Sequence, residues 1–111
     1  MKASEFKLSE TVLIHFNNWV SKTYPQIMNL WNDLPEFVHI QTFLDYCRSE
    51  HSIHGEVCND VGRYVGYVDY NSGFLHETKF VCEEVIVRRT AMMKVIKKLD
   101  EMVYNRLKKE G

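Results

Sequence analysis

A chain of 111 residues with 45% apolar and 26% charged side chains has the balance of one globular domain over residues 1–111, which excludes a disordered or fibrous polymer. A net charge of −1 and a pI near 6.5 exclude the overall positive field that draws in nucleic acid or anionic membrane. No run approaches the ~18 apolar residues of a bilayer span.

The N-terminal run MKASEFKLSETVLIHF is short in apolar residues and broken by Glu5, Lys7 and Glu10, unlike a secretory signal. Three cysteines without such a signal point to reduced thiols in a cytoplasm. A first helix is expected from Ser9, a good N-cap, to Lys22, with Val12, Phe16, Trp19 and Val20 in one stripe. Tyr24-Pro25 breaks it, and Pro25 suits the first position of a short helix over Gln26 to Asn32. Leu34-Pro35 repeats the device and opens a third helix to Glu50, with Phe37, Ile40, Phe43, Leu44 and Cys47 on its apolar face.

The period then changes from 3.6 to 2. Ile53, Gly55 and Val57 alternate with His54, Glu56 and Cys58. Asn59 to Gly62 reads as a turn, Arg63 to Tyr70 as a second strand, Asn71-Ser72-Gly73 as another turn, and Phe74 to Val81 as a third strand. From Glu83 to Lys109 there is no Gly or Pro, and Val85, Met92, Ile96, Leu99, Val103 and Leu107 recur at helical spacing. Glu83 and Glu84 stand at the expected N-terminal end and Lys108 and Lys109 at the other, as the helix dipole favours. Such a helix is roughly 40 Å long. The strands span only ~20–25 Å, so its distal half needs the first two helices or a second copy of the protein, as a homodimer. The expected class is α+β, in the order α-α-α-β-β-β-α.

Chemistry is sparse. In CRSEHSIHGEVC, Cys47, His51, His54 and Cys58 are all zinc-ligand types, and each Cys–His pair shares a face at a spacing of four. The C-x3-H…H-x3-C order differs from the usual zinc knuckles. The same residues read equally as a junction, with Cys47 in the core, His51 at a helix C-terminus and His54 on a strand. No third group orients a Cys–His nucleophile pair, and there is no glycine-rich phosphate loop. No enzyme activity, metal or cofactor is assigned from these residues.

Two features suggest binding. Residues 82–111 carry eight Lys or Arg against five acids, and Arg88, Arg89, Lys94 and Lys97 offer a basic helix face. The aromatics Trp19, Tyr24, Trp31, Tyr64, Tyr67 and Tyr70 are too many for one small core. Tyr64 and Tyr70 share a strand face with Val68, and Tyr67 lies opposite, so one set is expected to be uncovered or to meet a partner.

Two resemblances add context. PEFVHIQTFLDYCRSEHSIHGEVC, a hairpin and CEEVIVRRTAMMKVIKKL resemble uncharacterised small proteins of phages and prophages over roughly residues 35–100. In those a helix ends in a W-L-R-x-K-H-x-I-H type sequence. Here Tyr46-Cys47-Arg48 replaces Trp-Leu-Arg, and His51-Ser52-Ile53-His54 matches the rest. The resemblance implies a phage or mobile-element protein that binds and inhibits a host factor, including an antiviral defence factor. The order α-β-β-β-α over residues 35–104 is also similar to the double-stranded RNA-binding domain, which implies nucleic-acid binding. That family has lysines at the start of its last helix, where this chain has Glu83-Glu84 and, one turn later, Arg88-Arg89.

Overall fold

The computed structural model describes residues 7–110; residues 1–6, with them Glu5 of the N-terminal run, and residue 111 lie outside the described residues. Helix α1 (Glu10–Thr23) leads through a 3-10 helix (Pro25–Asp33) into α2 (Glu36–His51). Strands β1 (His54–Asp60), β2 (Arg63–Ser72) and β3 (Leu75–Val85) follow, and α3 (Arg88–Glu110) closes the chain. The strands form one antiparallel sheet in the order β1-β2-β3, so the class is α+β as the periodicity indicates.

The helical half is held by aromatic edges. Val12, Phe16 and Val20 are fully buried on one face of α1. The Phe16 ring meets Trp31 at 6.0 Å, Phe43 at 5.3 Å and Tyr46 at 5.5 Å, which joins α1, the 3-10 helix and α2. Such contacts add roughly 0.5–1.5 kcal/mol each beyond area burial. Ser9 occupies the N-cap of α1, but its side chain does not cap that helix. Its N–H and its hydroxyl both donate to Asp100 Oδ1, at 3.0 and 3.1 Å, and so pin the start of α1 to the middle of α3. Pro35 is the extended N-cap of α2 rather than its first helical residue, and Glu36 supplies the acid of the first turn.

The helix-to-strand junction falls within the stretch that looked like a metal site. Ser52 takes the left-handed conformation, with φ 53°. The amides of Ser52 and Ile53 return to the carbonyls of Arg48 and Cys47 at 3.2 and 3.1 Å. The Arg106 guanidinium of α3 donates to the carbonyl of His51. These bonds satisfy carbonyls that a helix C-terminus leaves open.

Both hairpin loops are tighter than expected. Asn59 pairs with Tyr64 and Asp60 with Arg63, leaving only Val61 and Gly62, both at positive φ, as the type I′ geometry demands. Ser72 pairs with Leu75 around Gly73 and Phe74, so Phe74 sits at a loop tip and not in the third strand.

The largest difference is at the last helix. Glu83, Glu84 and Val85 belong to β3, and α3 begins at Arg88. The register slips where Gly66 faces Cys82 and Tyr67 faces Phe80, and β3 then continues until Val85 meets Tyr64 near the start of β2. Helical spacing of Val85 with Met92 hid this, because a bulged strand also breaks the period of two. No acid therefore stands in the first turn of α3.

α3 covers one face of the sheet with Ala91, Val95, Ile96 and Leu99, all fully buried, against Val57 and Val68. The approach is close because β1 and β2 carry glycine there. A Cβ on Gly55 would stand 2.7 Å from Leu99 Cδ1 and 2.9 Å from Val95 Cγ1. One on Gly66 would stand 2.7 Å from Val95 Cγ2 and 3.0 Å from Cys82 Sγ. The 23 residues of α3 run past the sheet. There Val103 is fully buried and Leu107 packs on the core, with α1 and α2 in contact with α3. The distal half thus has its partner within one chain. No helix among the described residues is long and apolar enough to cross a membrane.

Two predictions follow from this packing. Gly66→Ala lowers stability by about 1–3 kcal/mol, the usual range for overpacking. Adding Val95→Ala recovers part of that loss, so a urea-denaturation cycle gives a coupling of opposite sign to the single effects. Strict additivity removes the proposed contact. Asp100, in turn, has its carboxyl raised above the usual aspartate range by burial, against the lowering effect of Ser9. A raised folded value means the stabilising contribution is complete below the unfolded value of ~3.9 and is lost as pH rises through the folded value. Asp100→Asn keeps the acceptor and removes the charge. Its urea midpoint, relative to wild type, is therefore higher at pH 7 than at pH 3; an unchanged difference contradicts the assignment.

Candidate functional site

The sheet has a second face. The residues alternating with Gly55, Val57, Gly66 and Val68 point away from α3: Glu56 and Cys58 on β1, Val65 and Tyr67 on β2, Phe80 on β3. Tyr67 pairs with Phe80 across the strands, their rings 6.3 Å apart and inclined at 62° in an edge contact. Phe80 is 61% exposed. With Cys58 and Val65 these rings floor a shallow hollow of about 520 Å³, whose rim carries Asp60, Glu83, Glu84 and one cation, Arg63.

A polar chain fixes the tyrosine. Tyr67 donates its hydroxyl proton to Glu56 Oε2 at 2.5 Å. His54 Nε2 lies 3.1 Å from the same oxygen, and Arg48 Nη2 lies 3.0 Å from His54 Nδ1. A guanidinium can only donate, so Nδ1 accepts and Nε2 carries the proton given to Glu56. The Tyr67 hydroxyl and then His54 hold the Glu56 carboxyl below its usual range, and the bond to Glu56 pushes the Tyr67 hydroxyl up. The consequence is a charged Glu56 and a neutral Tyr67 through the physiological range. Arg63 is neutralised by Glu84 at 2.9 Å, and Thr78 donates to Asp69 at 2.5 Å on the same face. The face is thus an aromatic centre in a net acidic frame.

The interaction residues chosen from sequence are divided by the fold. Tyr64 and Tyr70 lie on the α3 side, partly buried against the core, while Tyr67 lies on the open side. Arg88, Lys94 and Lys97 are exposed on α3, and Arg89 Nε is bound to Glu36 at 2.8 Å. The seven do not form one surface. The four zinc-type residues also separate. Cys47 is fully buried, and burial followed by the Asp100 charge pushes its thiol well up, so it stays protonated. His51 Nε2 is 3.1 Å from the Tyr46 hydroxyl, His54 has both nitrogens engaged, and Cys58 is exposed on the open face. No group of three or more His, Cys, Asp or Glu among the described residues is placed to hold a metal ion.

Sequence reasoning does not single out Phe80 or Val65, and it takes Cys58 only as a candidate metal ligand. Alternation along Phe74, His76, Thr78 and Phe80 places Phe80 on one strand face, but only the register puts it beside Tyr67. Comparison of the chain with protein-family models, with curated proteins and with solved structures found no match in any of the three.

Proposed function

We propose that this chain is a non-enzymatic protein-binding module whose docking surface is the open face of the sheet. The observation that carries the reading is the Tyr67–Phe80 pair, exposed in a hollow framed by Asp60, Glu83 and Glu84. Aromatic anchors of this kind dominate binding energy when a partner desolvates them. Arg48, His54 and Glu56 already hold the Tyr67 ring, so little side-chain freedom is lost on association. The acidic frame selects a partner with an apolar contact flanked by Lys or Arg, and speeds its approach. The resemblance to small phage and prophage proteins supplies a setting in the host cytoplasm, where such a module inhibits a defence factor.

The test compares capture of host proteins by immobilised wild type, by Phe80→Asp and by Lys97→Gln/Lys108→Gln, each shown folded by circular dichroism. A partner retained by wild type and by the lysine variant, eluted by salt, and weakened about 30-fold by Phe80→Asp has the signature of a central aromatic anchor. If Phe80→Asp retains the same proteins in the same amounts, the sheet face is not the docking surface.

A further inference from the structure

On the other side of the sheet, a groove of about 470 Å³ runs between the end of the β2–β3 hairpin and the distal half of α3. Its charged lining residues are Lys79 from β3 and Lys98, Arg106 and Lys109 from α3; no carboxylate lines it. We propose that this groove binds the phosphodiester backbone of a single-stranded nucleic acid. The site is independent of the sheet face described above.

The first argument is unbalanced charge. Arg63 and Arg89 are paired with Glu84 and Glu36. None of the four groove cations has a carboxylate at ion-pair distance among the described residues. Lys79 meets the Tyr70 side chain, with Glu77 acting on it more weakly from farther away, and Asp100 is turned to Ser9. Four cations converging from two elements are not the by-product of one helical period. A helix C-terminus favours Lys109, and Lys79 is placed by Tyr70, its Nζ 5.7 Å from the ring centroid, a contact that leaves its charge uncompensated.

The second argument is length. Lys98, Met102, Asn105 and Lys109 follow one another on a single face of α3, and the eleven steps from first to last cover roughly 16 Å. Lys98 and Lys109 stand at the two ends of that row with Asn105 between them, so the row spans more than one phosphate of an extended strand. Arg106 is held by its bond to the His51 carbonyl, which presents a positioned guanidinium.

The third is the neighbouring aromatic. The hairpin that contributes Asn71 and Ser72 to the groove has Phe74 at its tip, fully exposed. A basic channel beside an exposed ring is the arrangement that holds single strands, with phosphates in the channel and a base stacked on the ring. A duplex hides its base faces and gains nothing from Phe74.

The experiment is fluorescence anisotropy with labelled single-stranded DNA and RNA of about 15 nucleotides, in salt from about 50 to 200 mM. Contact with three or four phosphates gives a slope of log affinity on log salt of about −2 to −3, at ~0.7 per phosphate. Lys98→Gln/Lys109→Gln weakens binding at least about fivefold and makes the slope shallower by about 1.4. Lys97→Gln/Lys108→Gln removes the same charge at the same spacing, one step around the helix, and leaves affinity within about twofold. Phe74→Ala weakens binding about fivefold or more with no change in slope. The proposal is overturned by absence of binding at the lowest salt, by equal losses in the two lysine pairs, or by tighter binding of the matching duplex.

Discussion

The close seating of α3 on the sheet decides most of what this protein can present to others. Neither Gly55 nor Gly66 has room for a methyl group beneath Val95 and Leu99. Because those two glycines lie on adjacent strands, they leave a smooth depression that fixes the position of the helix as well as its distance. A helix so placed buries its apolar stripe on one sheet face, and its far end meets α1 and α2 through Val103, the Asp100–Ser9 bonds and the Arg106–His51 bond. All helical mass is thereby drawn to one side. The opposite face of the sheet is left without cover among the described residues.

The same layering separates charge. The overall balance of −1 suggests a protein with no strong electrostatic preference. In the fold, Asp60, Glu83 and the Arg63–Glu84 pair gather around the open hollow and leave it net acidic, while Lys79, Lys98, Arg106 and Lys109 gather in the groove beside α3. Screening acts over about 8–10 Å at ordinary salt. Each pole therefore acts on its own partner without being cancelled by the other, and a net charge near zero is no measure of either.

Element types were largely legible because each rests on local periodicity: Val12, Phe16 and Val20 on α1, and Val57 and Val68 against polar alternates in the sheet. Glu83 and Glu84 read as a helix start because a bulged strand and a helix start look alike when acids and β-branched residues are mixed. Only pairing of Val85 with Tyr64 distinguishes them. Ser9 reads correctly as an N-cap by position, yet its hydroxyl serves Asp100, 91 residues away, which no local rule anticipates. The candidate surfaces were the least legible for the same reason. Tyr67 was visible as a surplus aromatic, but Phe80 beside it and Lys79 beside Lys98 depend on strand register and on the placement of α3.

The histidine-rich junction illustrates how such a stretch can be structural and still shape a surface. Ser52 in the left-handed region turns the chain so that Ile53 enters the core and His54 emerges on the open side. The turn also brings Arg48, from the last turn of α2, within reach of His54. Arg48 fixes which nitrogen of His54 is protonated, His54 and Tyr67 keep Glu56 charged, and Glu56 holds the Tyr67 ring upright beside Phe80. Of the residues that suggest a metal site, His54 is thus the one that joins this chain, and with Arg48 and Glu56 it carries the geometry of a helix end across two strands to the aromatic pair at the centre of the open face.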